Sequence, residues 1–321
     1  MDEEIRDREF TIVHRIVLNL SPLDLRAQLQ TSTSEIDIHC SMGRTPFHWA
    51  AIQSSTDAME TLLEFGACVC SRDKDGFTPL HDIGRLGTIQ ALEVLLTYMA
   101  SPQCKTSELK NQIPVPKGTS LEFGYTDDFL KFCLEQRTEK GFTALAYCVS
   151  RVDRDEYVRM LLAAGADINS TLSLTSFPTS TPLGVGIQHR RHSMVKLLLE
   201  RGARLDLYDS DLEGTLHLLA IYGDFEMIQI FTPLDGLKDL DGEHRDRYEY
   251  DPLQAFDIFR PQYAQPEDEA TRQECQRAFL LLLSRTRGGT KYVPRIEEIT
   301  SEEEEEEESE VFCDASQSIQ T

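Results

Sequence analysis

Short hydrophobic segments recur along this chain, and several of them end in a leucine doublet or triplet followed closely by a glycine. Three copies are "LLEFGACV" at 62–69, "LLAAGADIN" at 161–169 and "LLLERGARL" at 197–205. Each copy follows another short apolar segment, and polar turns such as "SRDKDG" separate one pair of segments from the next. Two short amphipathic segments followed by a polar turn, repeated along a chain, predict stacked pairs of α-helices.

The first segment of each pair begins with a Thr-Pro-apolar-His sequence or a variant of it. The clearest copies are "TPFH" at 45–48 and "TPLH" at 78–81, which lie 33 residues apart. Threonine is a favourable N-cap because its hydroxyl accepts a backbone N–H bond, and proline in the first turn loses no helical hydrogen bond. Gly66, Gly165 and Gly202 would end the second helix in the left-handed conformation that glycine adopts readily.

Other copies of the motif are less regular. They begin at Thr11, Thr143 and Thr181, and a further copy retains only "LH" at 216–217. The third main repeat has alanine in place of both the proline and the histidine, and the fourth has glycine in place of the histidine. We expect these repeats to stack less tightly and to open locally at a lower free energy than the first two.

This pattern resembles the ankyrin repeat, most closely over residues 40–96. The resemblance implies an all-α solenoid in which antiparallel helix pairs are joined by projecting β-hairpins or turns. It also implies that the motif histidines are structural, with rings that hydrogen-bond at the helix start and between repeats. Those histidines are His14, His48, His81 and His217.

The resemblance predicts three regions: an N-terminal arm at 1–8, an ankyrin-repeat domain at 9–285 and an acidic, disordered tail at 286–321. Within the domain we expect a degenerate capping repeat at 9–39, repeats at 40–72, 73–100, 138–170, 179–209 and 211–236, and a degenerate C-terminal repeat at 250–285. That last repeat would have its two helices split by "RPQYAQPEDE".

The distance from Thr78 to Thr143 is almost two repeat lengths, but no hidden repeat is expected between them. The intervening "NQIPVPKG" contains two prolines and a glycine, which exclude a helix there. We therefore predict an inserted loop at 101–126 followed by a helix at 127–136. A second, smaller insert is expected at 171–181.

The net charge of −23 is unevenly distributed, since residues 296–321 contain eleven acidic residues and no Lys or Arg. Binding to nucleic acid requires clustered cations, so this composition argues against it. The chain has neither a run of about twenty apolar residues nor an apolar segment near its start. Together with eight scattered cysteines, these features predict a monomeric protein of the cytoplasm or nucleus with no membrane association.

Sequence motifs for catalysis or cofactor binding are absent. Cys68 and Cys70 lack a second Cys/His pair at zinc spacing, and His189 and His192 lack a third ligand. We therefore expect no enzyme activity, cofactor or metal.

The predicted function is that of a non-catalytic adaptor or scaffold that binds a protein partner through its concave groove and hairpin tips. The resemblance assigns to that surface Met42, Arg44, Gln53, Arg72, Lys74, Phe77, Arg85, Lys140, Phe142, Arg151 and Tyr222. Arg44, Phe77 and Phe142 occupy equivalent positions, and aromatic and arginine side chains often dominate binding energy. Replacing Arg44 and Phe77 by alanine should weaken binding and leave the fold intact. Alternatively, Phe77 and Phe142 pack on one another or under the insert.

A second possibility is a regulatory module that acts on an enzyme in trans, with the acidic tail as an inhibitory or phosphorylated arm. Ser301 precedes a run of glutamates, which resembles a substrate of acidophilic kinases, and a phosphate would add further negative charge. The simpler interpretation of the tail is a solubilising extension.

Overall fold

A computed structural model describes residues 8–101, 126–171, 181–209, 211–263 and 268–293. The chain divides into two compact units, Met1–Phe177 and Pro178–Thr321, called unit 1 and unit 2 below. Nearly all of the predicted insert at 101–126, most of the insert at 171–181, and the tail from 294 with Ser301 lie outside the described residues.

The described part of unit 1 consists of short helices arranged in successive pairs. They are α1 (Ile12–Val17), α2 (Leu25–Thr31), α3 (Pro46–Gln53), α4 (Thr56–Glu64), α5 (Pro79–Leu86), α6 (Ile89–Ala100), α7 (Thr126–Leu134), α8 (Ala144–Val149) and α9 (Asp155–Ala163). First helices pack on first helices, as α3 does on α5 and α5 on α8, and second helices α4 and α6 pack likewise. The predicted all-α repeat fold is confirmed.

Unit 2 continues the same alternation. Its helices are α10 (Pro182–Gln188), α11 (His192–Glu200), α12 (Thr215–Tyr222), α13 (Phe225–Phe231), α14 (Pro252–Tyr263) and α15 (Glu269–Ser284), with 3-10 turns at Asp235–Asp239 and Gly289–Tyr292. The described residues of both units contain no strand, and the two isolated β-bridges among them, Tyr208 with Gly214 and Asp241 with Arg287, both lie in unit 2, so the connections are turns. Gly66, Gly165 and Gly202 have φ values of 85°, 95° and 85°, as their predicted role at helix ends requires.

Each of the four motif histidines connects its own repeat to the following one. In the clearest case, the Thr45 N–H donates to Nδ1 of His48 at 3.1 Å, and Nε2 of His48 lies 3.1 Å from the Phe77 carbonyl oxygen. Because a carbonyl only accepts, Nε2 carries a proton. Because Nδ1 accepts a bond from the Thr45 N–H, it carries none, and the ring is neutral. The equivalent Nε2 bonds run from His14 to the Arg44 carbonyl, from His81 to Phe142 and from His217 to Tyr250, each at 3.0 Å. The structural interpretation of these histidines is confirmed.

The bond from His81 to Phe142 joins the second and third main repeats across the long interval that separates them in the sequence. It connects residues 61 positions apart, and the first helices α5 and α8 of these two repeats pack directly on one another. Helix α7 packs against the second helix α6. The first helices of the two repeats are therefore neighbours in the stack, and α7 lies beside a second helix.

The C-terminal region differs from the prediction in two respects. Helix α14 continues through Pro261 to Tyr263, so the break between the last two helices is shorter than expected. Residues 286–293 do not belong to a disordered tail, because Thr286 and Tyr292 are buried and the Tyr292 hydroxyl donates to the Gly242 carbonyl at 2.8 Å. The aromatic ring of Tyr292 anchors this segment to unit 2.

The buried histidines predict a specific response to acid. Burial lowers the pKa of both His48 and His81 to about 4. Between about pH 6.5 and 4 the unfolded chain binds protons at these rings that the folded chain does not, so their contribution to stability falls as the pH falls. We expect the NMR signals of both imidazoles to remain at their neutral positions down to about pH 5. A midpoint near 6.5 for either ring would contradict the prediction.

Candidate protein-binding surface

Two positions of each repeat meet along the side of unit 1 that carries the turns. One position lies immediately before the helix-capping threonine, and the other lies four residues after it. We call the residues at these positions in unit 1 the hairpin-face ladder: Phe10, Arg44, Phe77 and Phe142 at the first position, and Arg15, Trp49, Asp82 and Tyr147 at the second. The sequence prediction that Arg44, Phe77 and Phe142 are equivalent agrees with their carbonyls, each of which accepts a bond from a motif histidine.

Aromatic side chains of the ladder pack edge to face across repeats. Phe10 lies against Trp49 with ring centroids 5.6 Å apart, and Phe77 lies against Tyr147 at 5.4 Å. Tyr147 also meets Phe142 at 6.3 Å. Phe77 and Phe142 are therefore linked through Tyr147, and all three rings remain half-buried. The three rings are therefore packed on one another through Tyr147 and remain partly exposed.

Arg44 does not lie where the sequence prediction put it, since it is buried and holds an ion-pair cluster inside unit 1. Its Nε lies 3.1 Å from Asp73 Oδ2, and its Nη2 lies 3.6 Å from Asp82 Oδ1. The guanidinium also covers the Trp49 ring at 5.3 Å from the centroid. Arg44 therefore offers no exposed charge to a partner.

The carboxyl group of Asp82 lies at the centre of the same cluster. It is fully buried, and Arg85 Nη2 lies 2.9 Å from its Oδ1. Burial raises the pKa of Asp82 to about 6, although Arg44 and Arg85 both act to lower it. Arg85 is half-buried, and its ion pair with Asp82 holds the guanidinium in place. The guanidinium lies 5.2 Å from the Phe77 ring centroid.

Exposed cations lie in the turns that precede Phe77 and Phe142 and after the helix of Tyr147. Lys74, Lys140 and Arg151 are exposed, and none has a carboxylate within 4.0 Å among the described residues. Arg151 covers the Tyr147 ring at 5.0 Å from its centroid. The three turns of unit 1, at 40–44, 72–77 and 137–142, contain five cations and three acids. This face is therefore locally positive on an acidic protein.

The remaining predicted residues are placed as follows. Met42 and Gln53 are exposed, and Arg72 is exposed but pairs with Glu139 at 3.0 Å. Tyr222 belongs to unit 2, is half-buried, and accepts a bond from Arg190 at its carbonyl. The structure brings Phe77, Phe142, Arg85 and Arg151 together around Tyr147.

Sequence reasoning missed Tyr147 and Trp49, which are the central rings of the ladder. Both lie four residues after a capping threonine, the place that Asp82 holds in the intervening repeat. Aligning the repeats on that position would have revealed the column, since two of its four residues in unit 1, Trp49 and Tyr147, are large aromatics.

Chemically reactive groups are not concentrated on this face. The Sγ atoms of Cys68 and Cys70 lie 3.8 Å apart, and the hydrogen bond with Cys70, together with burial, raises the pKa of Cys68. Burial also raises the pKa of Cys148 to about 12, which disfavours the nucleophilic thiolate. His192 bonds to Asp224 at 2.8 Å. Within the described ranges, no three His, Cys, Asp or Glu side chains are grouped as a metal site.

None of the helices in the described ranges combines the length and hydropathy of a membrane-spanning segment. The ladder and its turns present aromatic rings, guanidiniums that lie over those rings and exposed lysines on a stack of helices.

Comparison with known proteins places the repeats in a family. Residues 13–106 match the profile of ankyrin repeats in three copies, and residues 140–171 match a further ankyrin repeat. The B-cell lymphoma 3 protein homolog of Mus musculus is 28% identical over 183 residues, which are 57% of this chain and 34% of that protein. Palmitoyltransferase AKR1 of Lachancea kluyveri is 43% identical over 79 residues, which are 24% of this chain and 11% of that protein. The chain thus spans a third or less of the length of these relatives.

Solved structures agree on the fold. The ankyrin repeat domain of Bcl-3 matches with a TM-score of 0.58 and 23% identity over 79% of this chain and 99% of that domain. The human ASB11 ankyrin repeat domain matches with a TM-score of 0.55 and 20% identity over 85% of this chain and 98% of that domain. The helix pairs, the Thr–His caps and the profile matches all agree: residues 13–106 and 140–171 of the chain are ankyrin repeats, and the fold is that of ankyrin-repeat domains.

Proposed function

We propose that this protein is a non-catalytic adaptor and that the hairpin-face ladder of unit 1 binds a protein partner. The observation that supports the proposal is the environment of Tyr147, which lies between Phe77 and Phe142 under the guanidinium of Arg151. Protein interfaces concentrate their binding energy in aromatic and arginine side chains near the centre of the contact.

The rigidity of this surface favours recognition. Tyr147 is held by edge contacts on two sides, and the carbonyl groups of both neighbouring phenylalanines accept histidine bonds from the preceding repeats. Side chains that are already ordered lose little conformational entropy on binding, so more of the contact energy becomes affinity. Exposed Lys74 and Lys140, in the turns that lead to Phe77 and Phe142, add long-range attraction for an acidic partner surface.

The cysteines suggest where the adaptor works. Five of the six described cysteines are buried, namely Cys40, Cys68, Cys133, Cys148 and Cys275, and buried cysteines act as small apolar residues of the core. Their scattered spacing has no disulfide framework, as is usual for proteins of a reducing compartment. We place the adaptor in the cytoplasm or nucleus on that basis.

Tyr147→Ala should weaken partner binding about 30-fold, which corresponds to an interface hot spot of about 2 kcal/mol. The measurement is affinity capture from native lysate with quantitative mass spectrometry, followed by titration of the captured partner. Tyr98→Ala is the matched control, because Tyr98 is a half-buried tyrosine on α6 of the same unit. Circular dichroism should show both variants folded. Equal partner recovery by the two variants would place the binding site elsewhere.

A further inference from the structure

Two turns of unit 2 lie side by side and are joined by direct contacts. The turn at 208–214 presents the Asp211 carbonyl, which accepts a bond from the Arg247 N–H at 2.7 Å. Nε2 of His244 lies 3.1 Å from the Leu212 carbonyl oxygen, and its ring lies 4.3 Å from the ring of Tyr208. The tips of the two turns therefore form one continuous surface.

Apolar side chains are exposed on this surface. Tyr248 is 60% exposed, Leu212 is 48% exposed and Tyr208 is 39% exposed. They come from both of the joined turns, and adjacent exposed apolar side chains of this kind mark interaction sites on soluble proteins.

Leu212 is held in an unusual backbone conformation. Its φ is 61°, and Glu249 in the next turn has a φ of 68°. The corresponding turns of unit 1 have Gly76 and Gly141 at that place, with φ values of 76° and 82°. The left-handed conformation is strained for a side chain such as leucine and free of strain for glycine. An exposed leucine there gains little packing to offset the strain, so stability does not explain its presence.

Negative charge surrounds the apolar side chains. Residues 206–213 and 241–251 contain nine acidic residues and two arginines. Asp209 is only 8% exposed, and its Oδ2 has no hydrogen-bond partner among the described residues. Burial and the carboxylates of Asp209, Asp246 and Asp211 raise the pKa of Glu213 to about 7. Carboxylates that repel one another in this way would be stabilised by a cation brought in by a partner.

We propose that residues 206–209 and 211–213, together with the turn at 241–251, form a second docking surface, which takes an extended protein segment carrying Lys or Arg beside an apolar side chain. The apolar part contacts Leu212 and Tyr248, and the cation lies against the carboxylates between the turns. The charge of this surface is opposite to that of the unit 1 turns, so it selects a different class of partner from the one proposed for the ladder.

The test uses the full chain and a phage-displayed library of random 12-residue peptides. We expect the enriched peptides to combine Lys or Arg with an apolar residue and to bind more weakly as salt increases. Leu212→Gly should lower their affinity at least tenfold while leaving the melting temperature unchanged or higher, because glycine relieves the left-handed strain. A residue needed only for folding would move the two measurements in the same direction.

Two controls accompany the test. Leu281→Ala removes another exposed leucine of unit 2, 47% exposed on α15, and should not change peptide binding. Tyr147→Ala should also leave it unchanged, so a failure of the adaptor function proposed for unit 1 is distinguishable from a failure here. Enrichment of acidic or uncharged peptides, no enrichment over uncoated beads, or Leu212→Gly binding within twofold of wild type would each overturn the proposal.

Discussion

Arg44→Ala is expected to lower the free energy of unfolding by about 3–5 kcal/mol, the usual cost of removing one partner from a buried ion pair. Arg44 is buried with Asp73 and Asp82, and the side chain of Asp82 is fully buried. Without the guanidinium, two carboxylates lie close together in a low-dielectric environment. Arg85 can compensate only in part, since it already pairs with Asp82 at 2.9 Å.

Urea unfolding followed by circular dichroism measures this effect. The matched control is Arg72→Ala, because Arg72 also pairs with an acidic residue of a neighbouring turn, Glu139, but is exposed. Exposed pairs contribute about 1 kcal/mol or less, so the control should unfold close to wild type. Equal decreases in the free energy of unfolding for the two variants would mean that burial does not increase the contribution of the Arg44 ion pairs to stability.

The stability expected to be lost with Arg44 changes how partner binding should be tested. From the sequence, replacing Arg44 and Phe77 together by alanine was expected to weaken binding and leave the fold intact. The buried cluster contradicts the second part, because Arg44 joins the turns of two repeats. Loss of binding in that double variant would follow from unfolding as readily as from a lost contact. Tyr147 is the better choice because it lies on the surface of the ladder.

The repeat architecture could be predicted because its determinants are local. Thr45 and His48 lie three residues apart and hydrogen-bond to each other at the helix N-terminus, so both residues of the cap can be recognised in the sequence. Glycines with positive φ at the ends of second helices are equally local. The role of Arg44 could not be predicted in this way. Its partners come 29 and 38 residues later, and the repeat pattern fixes where a side chain starts but not which charge it meets.

The last repeat was harder to recognise because different residues perform the same tasks. Asp251 replaces the capping threonine, and its Oδ1 accepts from the Gln254 N–H at 2.9 Å while the Gln254 side chain accepts from the Asp251 N–H. Glu249 has the left-handed conformation that glycine has in unit 1. The turn therefore begins at Asp246, before the predicted boundary at 250. Oδ1 of Asp246 accepts bonds from the backbone N–H groups of Tyr248 and Tyr250.

A second feature that the sequence analysis did not predict is an arginine side chain that donates hydrogen bonds to the carbonyls at the end of the preceding first helix. Arg260 is 1% exposed, lies 4.8 Å from the Phe256 ring centroid, and donates to the carbonyls of Ala220 and Gly223 at the end of α12. Arg154 donates in the same way to carbonyls at the end of α5 in unit 1. The last carbonyls of a helix lack helical partners and carry partial negative charge. A guanidinium both donates the missing hydrogen bonds and compensates that charge.

Arg260→Ala is therefore expected to lower the free energy of unfolding by about 3 kcal/mol, since it leaves buried carbonyls without a donor and opens a cavity beside Phe256. The decrease should appear in urea unfolding, and hydrogen exchange should locate faster amide exchange in α12 and α14. Arg245→Ala is the control, because that arginine is exposed and its nearest carboxylate, on Glu249, lies at 3.9 Å. If α12 exchanged at the wild-type rate in the Arg260 variant, the carbonyls of Ala220 and Gly223 would not depend on this guanidinium. Faster exchange confined to unit 2 would instead show that one buried cation secures the last repeat of the stack.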